Sequence, residues 1–301
     1  MSQAAPPQQP APLPGPPTLQ DVLRILKANA QPNTALIYRR HGVTDETWGV
    51  PYGATAQVLK LVKQDHALAL ELWETGVHEA RVLATKLANP EQLTRAQLDA
   101  WLGDVTDYVV DNAVSGLAAR CKDALALARG WIDARKEWPT SAGWNVIGLL
   151  AMEGRLPAAD AKVLLARIQK DLKKSPNRTR HAMNGALISM GGAMKEFTQA
   201  ALDVARAIGK VEVDHGLTGC VTPEAAPYIE RMLEHAEARR HPPPPPPAPV
   251  KKKVFKTPAR PAATRAPAKP AKPAKAAKPA RKAAPAKKAA PAARGKKKGR
   301  K

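Results

Sequence analysis

The chain has 301 residues and a formal charge of +22, but residues 250–301 hold 15 Lys and 5 Arg with no acid, leaving 28 basic against 26 acidic groups elsewhere. A nearly neutral body joined to a basic tail is the pattern of a folded domain that meets a polyanion, most often nucleic acid. Two cysteines exclude a disulfide framework, and no apolar run approaches the ~18 residues needed to span a bilayer, so a soluble, cytoplasmic and nucleoid-associated protein without membrane contact is expected.

Residues 1–17 are proline-rich, lack the basic start and apolar stretch of a secretory signal, and read as disordered. The helical period begins in "TLQDVLRILKAN", where Thr18 is a candidate N-cap with Asp21 three residues on, and Leu19, Val22, Leu23 and Leu26 share one face. The same pattern predicts helices near 33–40, 54–63, 65–74, 77–88, 94–103, 105–119 and 121–133. It continues near 142–152, 157–173, 177–190, 195–208 and 223–239, punctuated by Gly, Pro and Asn. Residues 18–240 are therefore an all-α domain. Its helix pairs recur about every 35–45 residues, the range of HEAT-like hairpins stacked into a curved solenoid, with an irregular bundle as the alternative. Only "GKVEVDHGLTGC", 209–220, breaks the period and reads as an extended, structured loop.

Residues 241–249 are a polyproline linker, and the basic tail follows. Lys269, Lys272, Lys275, Lys278 and Arg281 recur every three residues, so a polyproline II conformation would line them along one edge. Such a tail binds DNA without reading sequence and releases it as salt rises; RNA would serve the same chemistry.

Within the body, Asp104, Asp107 and Asp111 fall at i, i+3 and i+7, on one face of a single helix. Asp104 and Asp107 suit the positive end of a helix dipole; Asp111 is either a functional carboxylate or a solvated or paired acid. For phosphate contacts the richest runs are "KKSPNRTRH", with Lys173, Lys174, Arg178, Arg180 and His181 at a helix start, and Arg39, Arg40 and His41. Trp73, Trp101 and Trp131 read as core, whereas Trp138 and Trp144 could line a DNA-facing cleft. Asp214, His215 and Cys220 lack a fourth ligand at usable spacing, so a loop with a buried thiol is expected rather than a metal site, and no cofactor is implied.

The runs "RRHGV", "ALELWETGVHEARVLATKLANPEQLTRAQLDAWLGDV", "RTRHAMNGALISMGG" and "KVEVDHGLTGC" resemble the AlkD-like DNA alkylation repair family, over roughly Arg39 to Ala236. The resemblance implies a HEAT-like solenoid gripping duplex DNA along a concave basic face, and a glycosylase that excises cationic N3- and N7-alkylpurines. It places Asp111 at the family's catalytic carboxylate and Tyr108 at its aromatic contact. Where the family has an Arg and a Trp, this chain has Ser141 and Gly185, so the arginine would come from elsewhere, Arg129 or Arg135. The chemistry shows why these matter: a cationic base leaves readily, so the enzyme supplies a carboxylate for the sugar cation and aromatic faces for the base rather than a strong acid. The alternatives are a catalytically silent binder of damaged or branched DNA, and a nucleoid-associated protein dominated by its tail.

Overall fold

In a computed structural model, residues 15–240 are described; the expectations for residues 1–14, the polyproline linker and the basic tail lie outside them. The described residues form thirteen α-helices and no strand beyond one isolated bridge, Glu46 with Val77. The helices are α1 (Leu19–Ala28), α2 (Pro32–Arg40), α3 (Tyr52–Leu61), α4 (His66–Glu74), α5 (His78–Leu87), α6 (Arg95–Asp104) and α7 (Tyr108–Ala118). They continue as α8 (Ala124–Ile132), α9 (Glu137–Met152), α10 (Ala158–Asp171), α11 (Asn177–Ala193), α12 (Thr198–Ile208) and α13 (Ala225–Arg240).

From α4 onward each even helix backs onto the odd helix that follows it, and the odd helices α1, α3, α5, α7, α9, α11 and α13 pack in succession. Each hairpin buries its apolar face only against its neighbours, which is the logic of a HEAT-like helical repeat. The expected capping box opens α1, with Asp21 N–H donating to Thr18 Oγ1 and Asp21 Oδ2 accepting from Thr18 N–H.

Two of the boundaries that differ from the sequence reading concern the site. Helix α9 begins at Glu137, not near 142: Pro139 was expected to end a segment, but it occupies the first turn, where the missing N–H has no intrahelical partner to lose. Helix α7 begins at Tyr108, not at 105, so the three aspartates do not form one stripe. Asp104 is the last residue of α6, where its Oδ2 accepts a hydrogen bond from Trp73 Nε1 at 2.9 Å.

The core runs through every layer. Trp73 and Trp101 stack with centroids 4.1 Å apart and planes 2° from parallel, and Trp131 is buried as expected. Trp144 is 1% exposed and packed in the core, with the Arg167 guanidinium 5.9 Å from its ring centroid; it borders a cleft of about 230 Å³ but exposes almost none of its surface there. A β-carbon at Gly143 would lie 2.8 Å from the Ile132 backbone nitrogen, so only glycine lets α9 approach α8 this closely.

The "HEAR" run at the start of α5 is the keystone. Glu79, 1% exposed, accepts hydrogen bonds from Thr47 Oγ1 at 2.6 Å and from the amides of Trp48, Gly49 and Val50 at 3.3, 2.7 and 3.0 Å. Those bonds replace the water lost by a buried carboxylate. Arg81 reaches Asp45 Oδ2 at 2.5 Å and the Asp104 carbonyl at 3.2 Å, joining the 45–50 loop to the end of α6.

Candidate nucleic-acid site at the helix N-termini

Helices α7, α9 and α11 start side by side. Ser141 Oγ in α9 donates to Asp111 Oδ2 in α7 at 2.7 Å, and the Arg178 amide in α11 donates to Glu137 Oε1 in α9 at 2.5 Å. Three neighbouring N-termini with parallel dipoles bias this edge toward anions.

The start of α7 is fixed by Asp107, whose Oδ1 accepts from the amides of Val109 and Val110 at 2.8 and 3.1 Å. Its Oδ2 lies 3.1 Å from His78 Nδ1, both side chains being fully buried. The conspicuous "HEAR" residues thus act on the site indirectly, by setting where α7 begins. Asp107 is the helix-start acid expected; Asp104 is not.

Asp111 lies one turn deeper and is 1% exposed. Its Oδ2 accepts from Ser141 and, at 3.0 Å, from Asn145 Nδ2, which also donates to Asn112 Oδ1 at 3.1 Å; its Oδ1 is buried without a hydrogen-bond partner. Burial dominates and pushes its pKa up to about 7, against the Ser141 hydrogen bond and the Arg178 charge, which favour ionisation.

Above this carboxyl opens a cleft of about 400 Å³, lined by His41, Tyr108, Trp138, Arg178, His181 and residues of the 214–221 loop, among others. The Arg178 guanidinium sits 4.6 Å from the Tyr108 ring centroid and makes no ion pair among the described residues. Burial lowers its pKa, with Asp111 opposing, yet an arginine stays charged at neutral pH. The Tyr108 hydroxyl shares a hydrogen bond with His41 Nδ1 at 2.9 Å. Burial, with help from Arg178 and His215, holds His181 down at about 4, so it is neutral here.

Of the expected site residues, the cleft brings together Tyr108, Trp138 and Arg178; Asp111 lies beneath, outside its lining. Arg39, Arg40, Lys173 and Lys174 are exposed, away from the cleft lining. Arg180 donates from Nη1 to the Glu212 carbonyl at 2.8 Å and so ties down the 209–224 loop. The arginine nearest the carboxylate is Arg178, neither of the two expected from α8 and its neighbourhood: Arg129 is held bidentate by Asp160 at 2.6 and 2.7 Å, and Arg135 does not line the cleft. A β-carbon at Gly185 would meet open space; Gly185 and Asn145 line a second cleft of about 230 Å³ beside the first. Asn145 and Glu137 escaped the sequence reading, although Asn145 stands four residues after Ser141, on the same helix face. Cys220 is exposed, not buried as expected, and the described residues contain no group of metal-ligating side chains.

Helical hairpins stacked in succession define a HEAT-like repeat protein. The family described as DNA alkylation repair enzyme matches residues 22–229, and the chain belongs to that family. Among curated proteins it is similar to the uncharacterized proteins Lin0241 of Listeria innocua, 31% identical, and Lmo0209 of Listeria monocytogenes, 30% identical, each over 68% of this chain and 93% of the relative. A solved structure belonging to a new family of proteins related to the HEAT-like repeat DNA glycosylases with affinity for branched DNA structures matches with a TM-score of 0.68 at 25% identity. That match covers 73% of this chain and 95% of the other. No helix among the described residues is long and apolar enough to cross a membrane.

Proposed function

We propose that the protein binds DNA, with preference for branched or otherwise interrupted duplexes, and does not excise bases. The observation that carries this reading is the state of Asp111. A carboxylate that stabilises a sugar cation must be ionised and must face the sugar; this one is buried under Ser141 and Asn145, held near pKa 7, and absent from the cleft lining. What faces the cleft instead is recognition chemistry: an unpaired guanidinium pre-set over an aromatic ring, a half-buried Trp138, and the neutral His181 imidazole. Arg178 is the phosphate contact, Tyr108 and Trp138 are the aromatic surfaces, and Arg39, Arg40, Lys173 and Lys174 add non-specific attraction. The affinity of the related solved protein for branched DNA supports the same reading. The basic tail adds salt-sensitive attraction without selectivity.

The test is a competition of labelled four-way junction against linear duplex of equal length. The junction should bind more tightly, and Arg178→Ala should abolish the preference; equal affinity for both DNAs would refute the proposal.

One observation favours a second reading, excision of cationic alkylpurines. Asp111 Oδ1 has no partner, and it is the one carboxylate oxygen among the eight partnerless buried side-chain atoms of the described residues. Release of 7-methylguanine by the wild type but not by Asp111→Asn would establish it.

A further inference from the structure

The 209–224 loop is pinned at several points. Asn177 reads both sides of Asp214, donating to its carbonyl at 2.8 Å and accepting from its amide at 2.7 Å. Arg180 holds the Glu212 carbonyl, His215 Nε2 meets Thr222 Oγ1 at 2.8 Å, and Asn184 donates to the Pro223 carbonyl at 3.0 Å. Val211 and Thr222 are buried at its two ends. A loop so fixed has little freedom to turn its apolar side chains inward, yet between the anchors Leu217 is 86% and Val221 81% exposed, the most exposed large hydrophobic residues described. Val221 stands at the rim of the cleft that Arg178, Tyr108 and Trp138 line.

We propose that this loop is a wedge. Leu217 and Val221 enter a discontinuity in the double helix and take the place of a nucleotide, which moves into the cleft behind them. The occupant follows from the cleft's chemistry. A phosphate meets Arg178, an unstacked base meets Trp138 and the Tyr108–Arg178 stack, and about 400 Å³ falls within the range of about 300–1,000 Å³ usual for small-ligand pockets. Apolar wedges opening a base step are a general device of proteins that bend or kink DNA; at a branch point, stacking is already interrupted and the opening is easier. The inference rests on the branched-DNA reading above and assigns to this loop the recognition of the branch itself.

The experiment uses the full chain and a four-way junction carrying 2-aminopurine beside the branch, with a second junction carrying it mid-arm. At saturating wild-type protein, fluorescence beside the branch should rise about twofold or more, as expected for a base taken out of the stack, and the mid-arm signal should stay constant. The double variant Leu217→Ser/Val221→Ser, at its own saturation, should lose the rise; both positions are exposed, so folding is preserved. A wild type that prefers the junction without any rise, or a double variant that keeps it, overturns the wedge while leaving the branched-DNA reading intact. A wild type with no preference for the junction overturns both.

Discussion

Replacing Asp111 with asparagine should change stability in a way that depends on pH. The carboxyl titrates near 3.8 when solvated, whereas burial holds it at about 7 in the folded protein. Between those values the unfolded chain has released its proton and the folded chain has not. The folded state therefore binds more protons, and stability falls as pH rises, by about 1.4 kcal/mol per pH unit. The loss begins above the unfolded pKa and levels off above the folded one, a window of about three pH units and at most about 4 kcal/mol. Asparagine does not titrate. It keeps an acceptor for Ser141 and Asn145, and it puts an amide where Oδ1 has no partner, a pH-independent penalty of about 1–3 kcal/mol. The variant's stability relative to wild type should therefore climb by up to about 4 kcal/mol between pH 4 and pH 8, measured by urea unfolding at half-unit steps. A difference that stays constant across that range would mean that Asp111 is ionised and solvated, and the argument against catalysis would fail.

Three further outcomes follow from the same structure. Glu79→Ala should destabilise the fold by about 2–6 kcal/mol, because the buried amides of Gly49 and Val50 lose their acceptor at about 1–3 kcal/mol each; thermal unfolding would show it, and a change under 1 kcal/mol would contradict the keystone role. Gly185→Ala should stabilise by about 0.5–1 kcal/mol, since its β-carbon meets nothing and glycine inside a helix is unfavourable; a destabilised variant would show that the second cleft is closed. Gly49→Ala should destabilise by more than about 1–2 kcal/mol, for its φ is +71° and a β-carbon would lie 2.2 Å from the Gln31 carbonyl oxygen, so an unchanged urea midpoint would count against this loop geometry.

The helices were legible because their signals are local. Apolar period, caps and glycine breaks placed every helix among the described residues, with Glu137 and Tyr108 as the instructive boundary errors. A proline in a first turn and a three-residue break between two aspartates look, in one dimension, like a stop and like continuity. The site was legible by residue type but not by arrangement. Arg178, Tyr108 and Trp138 do converge, because α7, α9 and α11 start at one edge; Trp144, six residues after Trp138, turns into the core instead. That Asp111 would be buried depends on Ser141 and Asn145, 30 and 34 residues away, which no local pattern connects to it. The most conspicuous motif, "HEAR", signals architecture: Glu79 and Arg81 hold loops, and His78 steadies the acid that caps α7.

The proposed function is recognition of DNA by this alkylation-repair fold without cleavage of a glycosidic bond. Its most direct test is a single-turnover assay with protein in large excess over duplex DNA methylated at guanine N7, comparing wild type with Asp111→Asn. No 7-methylguanine beyond spontaneous depurination should be released by either protein. Release by the wild type that disappears in the variant would contradict the claim.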